Sequence, residues 1–356
     1  MSRKRIIISI LAIIGMGLLV WQFRHSPEWR NFSWGAVWTA TAEARGWYIA
    51  AAVGMIYTTY VIRSWRWQAL MAPSGRFWPV LKGTVIGFTG TALLGRPGEL
   101  IRPYYIARKH RVALPPQLAV WVLERMFDMA GVVLLAGLAL ALDPRLHALT
   151  RGGGYQRVFQ RAGMVVSLSV LGLVALLVVF HRRAPKILER LRRKNAAHPR
   201  RSRQKWEHFL RNLAQGTGAL TRGRTLVAAV VFTLGLWTMV SLSLWMVVLA
   251  YPTMLPGFGF SASLLLMGMT AMVAVIQIPA VGGGFQVVTI FGLTRLFGAD
   301  LAAATSAAMI MWLVCIYAIS PFGAALATHE GVSWRGMELE AEREEAAAER
   351  PPGERA

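Results

Sequence analysis

The sequence predicts an all-α polytopic membrane protein with about six full spans and two re-entrant helical hairpins arranged as an inverted repeat. Three observations lead to this reading. Hydrophobic residues make up 55% of the chain and the mean hydropathy is +0.45, with the apolar residues gathered in long runs. The formal charge of +22 sits mostly in the loops between those runs. That pattern suits loops beside anionic lipid headgroups and argues against a nucleic-acid partner. Finally, one apolar stretch in each half is interrupted by glycine and proline before it yields a pair of full spans.

The opening MSRKR followed by IIISILAIIGMGLLVW has the charge order of a secretory signal peptide. The apolar stretch is long, no small-x-small cleavage site closes it, and more spans follow. Residues 6–23 therefore read as an uncleaved first span, with Arg3, Lys4 and Arg5 holding its start in the cytoplasm. Residues 24–46 lie outside, where Trp29, Trp34 and Trp38, with Trp47 just beyond, suit the headgroup level on a short interfacial helix. Residues 47–71 return inward. Near the end of that span Arg63 and Arg66 are expected to snorkel to the cytoplasmic interface, with Trp65 and Trp67 as anchors.

The run GTVIGFTGTALLG, residues 83–95, falls well short of the roughly 20 residues a spanning helix needs. Arg96, Pro97, Gly98, Glu99 and Arg102 follow it directly. A full crossing would carry Arg96, Arg102, Arg108, Lys109 and Arg111 outside, against the usual charge bias. A re-entrant hairpin opening to the cytoplasm avoids that conflict and leaves residues 108–111 as interfacial anchors. Gly83, Gly87, Gly90 and Gly95 allow its helices to approach closely. Tyr104, Tyr105 and the tryptophans read mostly as membrane-belt residues.

Residues 117–142 span outward and carry ERMFD near the cytoplasmic end. Glu124 and Asp128 share a helix face, and Arg125 can pair with Asp128. Charges at such depth cost about 2.5–3.5 kcal/mol each on insertion scales, so they should face partners within the bundle. Residues 143–162 lie outside and 163–180 return. The segment 181–225 is strongly basic and cytoplasmic, a topology-setting loop that could also lie on the inner leaflet. Residues 226–250 span outward to the uncharged turn YPTMLPGFGFSA.

A second apolar run then meets a break at Pro279, Gly282, Gly283 and Gly284, which makes a second hairpin entering from outside; a full span over 261–280 is the alternative. Residues 301–327 complete the membrane domain, 1–327, and residues 328–356 form a charged cytoplasmic tail without a core-forming pattern. Both termini are thus expected in the cytoplasm. Cys315, the only cysteine, excludes an intrachain disulfide and a cysteine metal cluster.

Two broken segments entering from opposite faces are the pattern of an inverted-repeat transporter. Half-helices beginning near Pro97/Gly98 and Gly282/Gly283 would direct their N-H groups toward the midplane, suited to a phosphate. Arg96 and Arg102 could add bidentate contacts. Glu99, Glu124 and Asp128 could hold those arginines, receive a cationic headgroup or bind a coupling proton. A structural reading stands beside each of these: a Glu99–Arg102 ion pair locking the hairpin, a network within Glu124, Arg125 and Asp128, and packing glycines at the second break.

The run GRPGELIR from Gly95 to Arg102, ERMFD from Glu124 to Asp128 and IPAVGGG from Ile278 to Gly284 carry a family resemblance. Together they resemble the flippase-like transmembrane domain of bacterial lysylphosphatidylglycerol synthases over about residues 5–327. The resemblance implies movement of phospholipid between leaflets, with anionic or aminoacylated phospholipids as partners. Gln286 stands where the family pattern often carries a carboxylate. No length comparable to the family's soluble aminoacylating domain follows Thr328, so lipid synthesis is not expected of this chain. No cofactor is expected, and a homo-oligomer remains open. An ATP-hydrolysing phosphate loop, HExxH and GxSxG are all lacking, which sets a lipid-modifying enzyme and a scaffold with a basic loop behind a lipid carrier.

Overall fold

The computed structural model describes residues 33–71, 76–146, 223–251, 255–273, 277–278 and 282–331, with isolated positions between 148 and 189. The expected spans over 6–23 and 163–180, most of the basic loop, Pro279 and the tail beyond Gly331 lie outside the described residues.

The described chain is helical apart from one two-residue strand pairing. The helices are α1 (Trp34–Glu43), α2 (Gly46–Met71), α3 (Phe77–Leu94), α4 (Ile101–His110), α5 (Leu114–Leu142), α6 (Gly223–Leu249), α7 (Phe260–Val273) and α8 (Gly284–Phe291). The last helix, α9 (Leu301–His329), widens into a π turn at Leu313–Tyr317. Helices α3, α5, α6 and α9 are long and apolar enough to cross a membrane by length and composition. Helix α2 has 26 residues but carries Arg63 and Arg66. Leu134, Leu138 and Leu142 on α5, and Val227 and Val231 on α6, stay exposed, as expected of helices with a lipid-facing side. Helix α1 displays Trp34 and Trp38, as expected of an interfacial helix.

The first break is a helical hairpin. Helix α3 begins at Phe77, six residues before the apolar run predicted to start at Gly83, and reaches 18 residues. Pro79 sits in its first turn, where no intrahelical N-H is required. After α3 the chain reverses at Gly95, whose φ of 72° favours glycine. A 3-10 turn at Arg96–Leu100 then feeds α4.

The two arms pack through one face of α3: Gly83 lies under Tyr105 and Ile106, Gly87 under Arg102, and Gly90 under Ile101. A methyl added at Gly87 would come 2.5 Å from the Arg102 Cβ. Helix α9 runs alongside this pair. The Tyr317 hydroxyl donates to the Ala92 carbonyl at 3.1 Å, Gly323 abuts Thr89, and Glu330 receives Lys82 and Lys109 at 2.6 Å each. The hairpin thus covers only about the last 20 Å of α9, from Glu330 to Tyr317.

The second break repeats the shape. Helix α7 is followed by an antiparallel pairing, Gln277 with Gly283 and Ile278 with Gly282, and then by α8, which widens into a π turn at Gly292–Leu296. Gly292 packs against Leu266 and Met269, which sets the arms antiparallel. The open end lies where α5 finishes, with the Ser261 hydroxyl donating to Asp143. That hydrogen bond holds the Asp143 carboxyl below the usual range. The open end of the first hairpin lies instead where α2 finishes and α5 begins, joined by the Trp67–Gln117 hydrogen bond of 3.0 Å. The two hairpins therefore enter the bundle from opposite ends.

Between them, α2 and α6 pack antiparallel, with the Ser243 hydroxyl on the Ala52 carbonyl at 3.1 Å. Leu244, Leu266, Met267, Leu293 and Met311 are fully buried in the main core.

Candidate functional site

Helical spacing prepares an ionic cluster where α2, α4, α5 and α6 meet. Arg63 and Arg66 are three apart on α2, while Glu124 and Asp128 on α5, and Thr233 and Trp237 on α6, are four apart. Each pair presents a single face. The Glu124 carboxylate is wholly inaccessible and accepts from Arg66 Nε at 3.2 Å and from Arg102 Nη1 at 2.7 Å. Arg66 Nη1 donates to Asp128 Oδ1 at 2.7 Å and to the Thr233 hydroxyl at 2.8 Å. The indole Nε1 of Trp237 donates to the same Asp128 oxygen at 3.1 Å. Asp128 Oδ2 faces Arg125 at 3.2 Å and Arg63 at 3.6 Å.

Aromatic rings shield the cluster. The Arg102 guanidinium lies 4.2 Å from the Trp67 ring centroid and also donates to the Arg63 carbonyl at 3.2 Å. Arg63 sits between Phe88, at 4.8 Å, and Trp237, at 5.8 Å. Arginine suits this site because its weakly hydrated, planar fork can satisfy two acceptors and stack on a ring at once. Taking these charges out of water is costly, and only close pairing with further hydrogen bonds offsets it.

Beside the cluster, a cleft of about 50 Å³ is lined by Phe88, Thr91, Glu99, Arg102, Trp121 and Arg125. It has room for a few water molecules rather than a phospholipid headgroup.

The structure brings together Arg102, Glu124, Arg125 and Asp128, and sets Glu99 at the cleft. Arg96 opens the 3-10 turn. Gly98 is a packing position: its Cα abuts the Gly90 backbone so closely that a Cβ would collide with it. Among the described residues of the second break, α8 packs mainly on α7 and α9. There Gly283, at φ 136°, precedes Gly284 at the start of α8, and the Gln286 side chain accepts from the Gly283 N-H at 2.8 Å. Gln286 thus caps a helix. Gly282 pairs with Ile278.

Three expectations are corrected. Arg63 and Arg66 do not snorkel; they turn inward, where the carboxylates of Glu124 and Asp128 compensate their charge. Trp67 and Tyr105 are buried rather than in a membrane belt, Trp67 beneath Arg102 and Tyr105 against Gly83. Lys109 is more than an anchor, since it pairs with Glu330. Arg102 is committed to Glu124, on another element, so its hold on the hairpin is tertiary. Sequence reasoning missed Arg63, Arg66, Thr233 and Trp237 as members of the cluster. The available signal was the spacing of the two arginines before the end of a 26-residue helix.

Opposed helical hairpins within a bundle of apolar helices, with a buried arginine–carboxylate network behind one of them, define an integral membrane protein with an internal polar site. The chain belongs to the lysylphosphatidylglycerol synthase transmembrane-region family, whose model matches residues 6–323. No match was found among curated proteins or among solved structures.

Proposed function

We propose that this protein is a lipid carrier that moves a phospholipid between leaflets, passing the headgroup along a polar groove while the acyl chains stay in hydrocarbon. The observation that carries the reading is the cluster of Arg63, Arg66, Arg102 and Arg125 around Glu124 and Asp128, held inside apolar helices and reaching a cleft at the first hairpin. Intramembrane charge of this kind marks substrate pathways by default. Hairpins that enter from opposite ends support an alternating-access cycle, and the small cleft fits its closed state. The first hairpin is re-entrant in this reading, both termini face the cytoplasm of a bacterial-type inner membrane, and the protein is not an enzyme.

The test is leaflet exchange of labelled anionic and aminoacylated phospholipids in proteoliposomes, with wild type, Glu99→Gln and Arg102→Lys, each confirmed as folded. Wild type should accelerate exchange and both variants should slow it about tenfold or more, the scale of one lost charged contact. Exchange no faster than in protein-free vesicles would refute the carrier, and chemical turnover of the lipid by pure protein would favour an enzyme.

A further inference from the structure

The cluster is rich in donors and poor in acceptors. Five guanidinium nitrogens are buried without a hydrogen-bond acceptor: Arg63 Nε and Nη1, Arg66 Nη2, Arg102 Nε and Arg125 Nε. Both Glu124 oxygens are engaged, while Asp128 Oδ2 faces Arg125 at 3.2 Å and Arg63 at 3.6 Å without a hydrogen bond, so unmet donors outnumber unmet acceptors within the cluster. Among the described residues the cluster and its cleft set four arginines against Glu99, Glu124 and Asp128. Buried donors without acceptors are costly, more so when charged.

Arg63 is the outstanding member. Its side chain is 9% exposed, and its ion pair with Asp128, at 3.6 Å, is beyond hydrogen-bond range. It packs against one face of Phe88, a residue that lines the cleft with Arg102. Removing Arg63 would still leave Asp128 with Arg66 at 2.7 Å and Arg125 at 3.2 Å. The cluster therefore does not need Arg63 for its own pairing.

We infer that Arg63, together with Arg102, forms a phosphodiester-binding subsite behind Phe88, and that the site takes the anionic phosphate of a lipid headgroup rather than an aminoacyl ammonium. The inference rests on the lipid-carrier reading for the source of the phosphate. A phosphodiester offers acceptors and a negative charge to a site whose four arginines outnumber its carboxylates and whose unmet groups are mostly donors, and guanidinium forks match its oxygens. An ammonium is a donor only and would add to the surplus. Phe88 touches Arg63 and lines the cleft with Arg102, so a shift of its ring would open one space to both guanidinium groups.

The test measures binding to purified protein in neutral detergent through tryptophan fluorescence, with Trp67, Trp121 and Trp237 as reporters beside the site. The probes are phosphatidylglycerol, a double-chain trimethylammonium lipid and inorganic phosphate, and the proteins are wild type, Arg63→Gln and Arg63→Lys. Phosphatidylglycerol should bind saturably, Arg63→Gln should weaken it at least tenfold, and Arg63→Lys should fall between them. Inorganic phosphate competing with the same dependence on Arg63 would keep the subsite and make the free anion a second source. Equal binding of the trimethylammonium lipid, or a folded Arg63→Gln that binds like wild type, would overturn the inference. Exchange assays separate the two readings. Exchange unaltered in folded Arg63→Gln would remove the subsite and leave the carrier, whereas Arg63-dependent binding without wild-type exchange would remove the carrier and leave the subsite.

Discussion

Replacing Glu124 by glutamine isolates what the ionic cluster contributes to the fold. The carboxylate is fully buried and serves Arg66 at 3.2 Å and Arg102 at 2.7 Å. Glutamine keeps the volume and one acceptor, but it removes the charge that compensates two buried guanidinium groups. Breaking a buried pair in this way costs about 3–5 kcal/mol, because the surviving charges remain in the interior. Two features place this case near the lower end: Arg66 retains Asp128 at 2.7 Å, and a chain unfolded within lipid or detergent also finds partners for its polar groups. About 3 kcal/mol corresponds to roughly a hundredfold shift of the unfolding equilibrium. Reversible unfolding in mixed micelles, followed by tryptophan fluorescence, reads that shift. A double variant, Glu124→Gln with Arg102→Gln, should recover part of it because one orphaned cation is gone. A loss below about 1 kcal/mol for the single variant, the range of solvated surface pairs, would show that Glu124 is not desolvated and refute the reasoning.

Gly98→Ala should disrupt the first hairpin, since its Cβ would overlap the Gly90 backbone, which cannot yield as a side chain could; reduced thermal stability and faster proteolysis around residues 95–100 would register it, and native stability would refute the close packing. Trp237→Phe removes the indole hydrogen bond to Asp128 and should cost about 1.5–3 kcal/mol in the same unfolding assay, with no change counting against the assigned bond. Glu330 supplies a pH dependence: hydrogen bonds from Lys109 and then Lys82 hold its carboxyl at about 2, against an ordinary value of 4.5. A carboxyl depressed in the folded state contributes fully above its unfolded pKa and loses that contribution as pH falls toward the folded value. The stability difference between wild type and Glu330→Gln should therefore be constant above about pH 5 and shrink toward pH 2; a difference that persisted unchanged at pH 2 would separate it from the Lys82–Glu330–Lys109 bridge.

Much of the bundle was legible because a bilayer imposes a length rule that a sequence can be measured against. Residues 117–142 and 226–250 anticipate α5 and α6 to within a few residues, and the Gly/Pro breaks anticipate both reversals. The start of α3 was less legible. FWPVLK joins an aromatic pair to Pro79 and Lys82 ahead of the apolar run, yet proline is tolerated in a first helical turn and Lys82 finds Glu330 at 2.6 Å. That partner lies 248 positions away, and no local pattern announces it.

The site divides along the same line. Glu124 and Asp128 share a face by spacing alone, and the cost of burying them already demanded cationic partners. Which cations answer is a tertiary matter. Arg102 was visible because it follows a helix break, whereas Arg63 and Arg66 resembled interfacial anchors at the end of a span. The choice between snorkelling and pairing depends on what faces the helix: α5 offers two carboxylates, and α6 adds the Thr233 hydroxyl and the Trp237 indole. Once Arg66 has taken both carboxylates, Arg63 is left with a longer approach to Asp128 and two ring faces. The residue least satisfied by the fold is thus the one that sequence reasoning had sent to the membrane surface. A guanidinium kept inside at that cost is better placed to meet an anion than to hold the fold together.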